Sequence, residues 1–261
     1  MNQITRILTA SLLAGTALAA CSSAKPDQTA EASPAADEAI SADQAITLAV
    51  ASEGRPAGDK ERDEDRKPAI TVAFAGVKPG DTVIELMPGG GYYTRILAET
   101  VGETGKVIMV TSPGSLKYGS NAESFEALQE RYPNVTGVIT ELVDFKPEAP
   151  ADLIWTTENY HDLHNGSDVA AINAVMFDAL KPGGLYFVED HSAPGTGTSA
   201  TDTIHRIDPA AVKEEVEAAG FTLDAESDHL ANPGDPHDIG PFDPSIEGKT
   251  DRFALRFKKP E

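Results

Sequence analysis

The stretch Val83–Thr94, VIELMPGGGYYT, runs from a short apolar strand through an acid into three consecutive glycines, then into residues that can open a helix. Glycines after a strand let the backbone approach a ligand where any Cβ would clash, and they accept positive φ without steric cost. The spacing predicts a strand–turn–helix unit that cradles a nucleotide-like ligand. Met87 stands where such turns carry their first glycine, and Pro88 stiffens the turn. A dinucleotide fingerprint fits less well. G-x-G-x-x-G needs a glycine at Thr94, and the ribose acid expected about 20 residues further on falls near Thr111 and Ser112.

Outward from this turn, strands alternate with helices. Strands are predicted at 82–87, 106–111, 135–141, 151–158, 185–190, 221–229 and 251–259. Helices are predicted at 42–53, 62–76, 91–101, 121–131, 167–180 and 208–219. Pro68 falls near the first turn of the second helix, where a missing N–H is harmless. Successive βα units imply a parallel sheet with helices on both faces, because the crossovers are right-handed. Such sheets bind ligands at the carboxyl ends of their strands, near the switch in strand order. The last two strands are joined by the Pro- and Gly-rich stretch 231–249, ANPGDPHDIGPFDPSIEGK, without a helix. They are therefore expected to pair antiparallel, and the stretch itself is either a lid or a plain surface loop.

The chain begins with a polar segment containing Arg6, followed by ILTASLLAGTALAA (7–20). This apolar run is too short to span a bilayer permanently and reads as an export signal, residues 1–20, set aside before fold reasoning. Leu18-Ala19-Ala20-Cys21 resembles the lipobox of bacterial lipoproteins. That resemblance implies cleavage before Cys21, acylation of Cys21, and a lipid-anchored, periplasm-facing protein; Ser22 in the next position points to the outer membrane. Cys21 is the only cysteine, so no disulfide is expected. Residues 21–45 are Ala, Ser, Pro and acid without an aromatic, and too little apolar surface is available there to offset ordering. They are expected to be a disordered tether, leaving 46–261 as one α/β domain. The net charge of −21 argues against nucleic acid as a partner. GDKERDEDRK (58–67) mixes both signs and is most simply a solvated helix face or loop.

The order of elements, with GVKPGDTVIELMPGGGYYTRIL, KPGG and DRFALRFKKP in it, resembles the class I S-adenosylmethionine-dependent methyltransferases over about residues 78–261. Within them it is most similar to predicted exported bacterial members. The resemblance implies a Rossmann-like class I methyltransferase fold: a mostly parallel seven-stranded sheet in the order 3-2-1-4-5-7-6, its last strand antiparallel. It implies S-adenosylmethionine as cofactor and a small-molecule or envelope acceptor. Gly89 and Gly91 match the second and third glycines of the E/D-x-G-x-G-x-G loop; Met87 takes the first position and Gly90 lies between. Glu85 matches the acid that anchors the methionine ammonium, and Tyr92 is placed to offer a ring face to the sulfonium. The usual acid after the second strand is replaced by Thr111 or Ser112, one neutral hydrogen bond in place of a charged pair. Asp144-Phe145 resembles the acid-plus-apolar pair that meets adenine, although an exposed surface acid fits Asp144 as well.

For chemistry, DLIWTTENYHDL (152–163) aligns with the family's fourth-strand segment and puts Glu158, Asn159, Tyr160 and His161 at the pocket mouth. Asp190-His191 ends the neighbouring strand. Two histidines and two acids, His161, His191, Glu158 and Asp190, are thus expected to converge where an acceptor would sit. Either histidine near neutral pH could serve as a base, or could instead cap a strand or loop. HRIDP (205–209) could close over the pocket with Arg206 gripping a carboxylate, or simply start a helix at Asp208-Pro209. No metal site is assigned. His161, His164, Asp190, His191, His237 and Asp238 could be combined into one, but no H-E-x-x-H is present. A ligand-binding module without catalysis, and a metal-dependent enzyme using these histidines, stand as the alternative functions.

Overall fold

The computed structural model describes residues 40–117 and 122–261. The export signal, Cys21 and residues 22–39 of the expected tether lie outside the described residues. The folded region begins earlier than residue 46. α1 (Ala42–Ala51) is capped by Ser41, whose Oγ accepts from the Gln44 N–H, and it buries Ala45, Ile46 and Ala49.

Two short helices follow, α2 (Ala57–Lys60) and α3 (Asp63–Arg66), then α4 (Pro68–Ala75). The helix predicted over 62–76 is therefore broken. Pro68 disfavours the right-handed helical region for the residue before it, and Lys67 turns to φ 44° and ψ 51°. α4 restarts with Pro68 in its first turn.

The sheet comprises β1 (Thr82–Leu86), β2 (Lys106–Thr111), β3 (Val135–Ile139), β4 (Ala151–Thr157), β5 (Leu180–His191), β6 (Thr222–Ser227) and β7 (Arg252–Lys258). Its order is β3-β2-β1-β4-β5-β7-β6, with β7 antiparallel to both neighbours and the other pairings parallel. The order and the antiparallel last strand are those expected. β5 starts earlier than predicted, because Lys181–Gly184 are absorbed as an irregularity between the Ala151–Leu180 and Leu153–Leu185 pairings.

The helices α5 (Tyr92–Val101), α6 (Ala122–Arg131), α7 (Val169–Ala179), α8 (Thr201–Ile204) and α9 (Pro209–Ala218) complete the chain. Strand alternation divides the core in two. Val83, Leu153, Trp155 and Phe187 pack on one face with α1, α4 and α5. Ile84, Leu86, Ile154, Tyr186 and Val188 pack on the other with α7 and α9. Strands buried on both faces explain why they read as continuous apolar runs. Trp155 bridges Phe187 and Tyr93 at ring-centroid distances of 4.5 and 4.8 Å, and each fully buried large apolar side chain contributes about 1.5–3 kcal/mol. Among the described residues, no helix is long and apolar enough to cross a membrane.

Candidate functional site

The strand order reverses between β1 and β4, and the turn after β1 opens at that point. Three alternate residues in it are left-handed: Met87 at φ 47°, Gly89 at φ 57° and Gly91 at φ 81°. Glycine adopts this conformation freely, whereas methionine is strained by roughly 1–2 kcal/mol. Three hydrogen bonds hold the strained residue. The Met87 N–H donates to the Val110 carbonyl at 2.8 Å, and the Asn159 amide donates to the carbonyls of Leu86 and Met87, both at 3.1 Å. β4 thus fixes the turn that leaves β1.

The glycines divide the labour. A Cβ on Gly90 would meet no described atom within 4 Å, so the turn presents bare backbone there. On Gly91 it would come within 2.5 Å of Leu128 Cδ1, so this glycine lets α5 pack under α6. Behind the turn, Glu85 is buried and accepts from Thr94 Oγ1 at 2.6 Å. Burial pushes its carboxyl up to about 8, against the opposing pull of Thr94 and Arg95.

The charged run 58–67 is largely exposed, as expected, but Asp59, Asp63 and Arg66 turn inward. Asp59 accepts from Arg95, which also donates to the Gly90 carbonyl. Asp63 receives a two-pronged bond from Arg55 and the Tyr92 hydroxyl at 2.6 Å. The guanidinium groups of Arg55, Arg62 and Arg66 lie 5.3, 5.3 and 4.9 Å from the Tyr92 ring centre. Tyr92, expected to face a sulfonium, instead packs against the chain's own cations.

At the ends of β4, β5 and β7 lies a second charge network. Glu158, at φ 54°, pairs with Arg66 and with Arg252, the latter at 2.8 Å. Arg252 also reaches Glu189 at 3.4 Å. Burial opposes the charge on Glu158, but Arg66 first and then His191 and Arg252 hold its carboxyl well below the usual range. Burial prevails at Glu189 and pushes that carboxyl up despite Arg252.

His161, Asp190, His191 and Glu158 do come together. Asp190 is fully buried and accepts from His161 twice: the backbone N–H and Nδ1, each at 2.8 Å. Burial works against charge on both partners, and their attraction overcomes it, raising His161 and lowering Asp190. The His191 ring is 6.1 Å from that of His161 and bonds Thr250 Oγ1 at 2.8 Å. Burial depresses His191 to about 4, so it stays neutral at physiological pH.

Relatives are consistent with this architecture. No family model matches the chain. The ubiquinone/menaquinone biosynthesis C-methyltransferase UbiE of Salmonella arizonae is 33% identical over 133 residues, covering 48% of each chain, and that of Salmonella newport matches equally. The chain therefore spans about half the length of the curated relatives it matches. A SAM-dependent methyltransferase from Aquifex aeolicus superposes with a TM-score of 0.53 at 18% identity, over 79% of this chain and 99% of its own. The [4+2]-cyclase SpnF superposes with a TM-score of 0.55 at 15% identity, over 85% and 98%. This is the class I methyltransferase fold.

Met87, at the position where the resemblance expects a glycine, has φ 47°, a conformation glycine adopts freely. The Thr111 hydroxyl, at the end of β2, is buried and has no hydrogen-bond partner among the described residues. Ser112 is engaged with Ser115 at 2.9 Å. Phe145 is buried in the core on the α7–α9 face, while Asp144 beside it is exposed. Arg206 grips a carboxylate, but an internal one: it is fully buried against Asp235, which ties the 231–249 loop down. Asp208 caps α9 through the Ala210 N–H. The six-residue metal combination does not assemble, because His164 turns to Glu215 and His237 to Asp251. Missed from the sequence were Arg55, Arg66 and Arg252 as organisers of the site, and the structural use of Asn159. The density of charge in 58–67 signals Arg66; Arg55, Asn159 and Arg252 lie outside that run and carry no such local mark.

Proposed function

We propose that the chain is a class I S-adenosylmethionine-dependent methyltransferase acting on a small-molecule or envelope acceptor, held at the outer membrane, facing the periplasm, by a lipid on Cys21. The observation that carries this reading is the backbone at 87, 89 and 91, left-handed at the three glycine positions of the motif. The 33% identity to UbiE supports it independently.

The residues present fit the cofactor at three points. A Cβ at Gly90 would meet no described atom, so a ligand could approach the backbone there. Glu85, raised by burial, can ionise against an arriving ammonium group. The Thr111 hydroxyl, without a partner among the described residues, offers one neutral hydrogen bond. Tyr92 fits less well, its face being taken by arginines. When bound, S-adenosylmethionine supplies an electrophilic methyl group on a sulfonium. The chain's part is to orient the acceptor, since in-line transfer depends chiefly on positioning. If the acceptor starts protonated, His161 takes the proton at Nε2, with Asp190 fixing its other nitrogen.

Calorimetric titration of S-adenosylhomocysteine into the purified full chain tests the reading. Gly90 is exposed and not left-handed, so Gly90→Val leaves the fold intact and should weaken binding at least about tenfold, a change of roughly 1.4 kcal/mol. Gly91 cannot serve, because its Cβ would strike Leu128. Absence of saturation up to millimolar ligand would count against the reading, and equal affinity in Gly90→Val would remove this turn from the site. Palmitate labelling in cells, abolished by Cys21→Ser, tests the anchor.

A further inference from the structure

We propose that His161, Asp162 and His205 form a binding site for a divalent transition-metal ion of the zinc class, at the junction of the 3-10 turn His161–His164 and α8. Each side chain contributes one ligand atom, and the three atoms lie within 4.8 Å of one another. His161 Nε2 is 3.4 Å from Asp162 Oδ1, and His205 Nδ1 is 3.6 Å from the same oxygen. Ligands around tetrahedral zinc, at bonds of about 2.0–2.1 Å, stand about 3.4 Å apart. Two edges already have nearly that length, and the third closes by a small movement of half-exposed side chains.

The orientation of His161 is the stronger argument. Its Nδ1 is engaged by Asp190 at 2.8 Å, and the other Asp190 oxygen takes the His161 backbone N–H. That leaves Nε2 free of Asp190, 3.4 Å from Asp162 Oδ1 and within reach of the His205 ring. A metal-ligating histidine characteristically gives its second nitrogen to a carboxylate, which fixes the ring and raises its basicity. Here that carboxylate is fully buried, so the arrangement is part of the core rather than an accident of surface charge.

Burial is graded in the way an accessible metal site requires. The His161 side chain is 4% exposed, whereas those of Asp162 and His205 are 44% and 41% exposed. Three protein ligands with one open side leave a fourth position for water or substrate. His205 is held at the end of α8, with its ring 5.5 Å from the His161 ring and 5.5 Å from Phe242. The same turn and α8 also wall a cavity of about 560 Å³, lined by His164, Asn165, Gly166, Thr198, Thr201 and Asp202. Two imidazoles and one carboxylate suit zinc, nickel, copper or ferrous iron better than magnesium or calcium.

This site requires nothing from the methyl-transfer reading, although a bound ion would take the Nε2 lone pair that His161 otherwise offers as a base. The test uses the metal-stripped full chain and no S-adenosyl ligand. Cobalt(II) titration, followed by visible absorption and reversed by zinc(II), should give about one saturable equivalent. Asp162→Asn and His205→Ala should each weaken binding at least about tenfold, since losing a ligand exceeds losing an outer hydrogen bond. His237→Ala should not change it. Both replaced side chains are half-exposed, and unchanged melting of the metal-free variants shows that the fold survives. No saturation below millimolar metal, or full binding retained in both Asp162→Asn and His205→Ala, overturns the proposal.

Discussion

The side-chain amide of Asn159, just past the end of β4, donates to the backbone carbonyl of Met87 at 3.1 Å. One polar side chain thus holds a methionine in a conformation that glycine would adopt unaided. Asn159→Ala should lower stability by about 1–3 kcal/mol, the cost of stranding buried backbone carbonyls, and should weaken S-adenosylhomocysteine binding.

At Met87 itself the backbone makes a sharper prediction. Met87→Gly relieves the left-handed strain while adding freedom to the unfolded chain, so its net effect should stay within about 1 kcal/mol. Met87→Ile adds a branched Cβ at φ 47° and should cost more, roughly 1–3 kcal/mol. Urea unfolding of the two variants measures the difference. Equal stability would mean that φ at this position is not what the turn depends on.

The Arg252 network predicts a large and partly reversible loss. The side chains of Arg252 and Glu189 are 4% and 0% exposed, and Arg252 also serves Glu158. Arg252→Leu should destabilise by about 3–5 kcal/mol, because a buried carboxylate loses its partner. Adding Glu189→Leu should recover part of that loss, since Glu158 retains Arg66. A double variant no more stable than Arg252→Leu alone would contradict the pairing.

Glu85 gives a pH dependence of definite sign. An unfolded glutamate titrates near 4.3, whereas burial raises Glu85 to about 8 in the folded chain. Between those values the folded chain holds a proton that the unfolded chain has released, so this group's contribution to stability falls as pH rises. Glu85→Gln carries no such proton. Its stability relative to the natural chain should therefore increase by a few kcal/mol from pH 5 to pH 8.5. A flat difference across that range would show that Glu85 is ionised in the fold. Binding of a cationic ligand beside it near pH 7 should release a proton, visible as a buffer-dependent binding enthalpy.

The central strands are legible in the sequence because β1, β2, β4 and β5 carry apolar runs beside turn residues, whereas β6 (TLDAES) does not; the strand order is legible only through the family resemblance. Lys67 is harder, since a helical pattern on both sides of Pro68 masks the break before it. The pairings of Glu158 with Arg66 and Arg252 span 92 and 94 residues. Such contacts leave no local period to read, so GDKERDEDRK reads as a solvated surface when Asp59, Asp63 and Arg66 in fact turn inward. His161 and Asp190 are recognisable as candidates because His161 follows β4 and Asp190 stands in the last residues of β5, at the sheet's carboxyl end. His205 is not, because only the fold of 192–205 brings it beside Asp162.

Hydrogen exchange of the full chain with and without saturating S-adenosylhomocysteine tests directly whether the turn after β1 holds the cofactor. Slowed exchange centred on 86–92, with a second protected stretch at 111–115, is the predicted result. Binding without protection at 86–92, or protection confined to other elements, would contradict it.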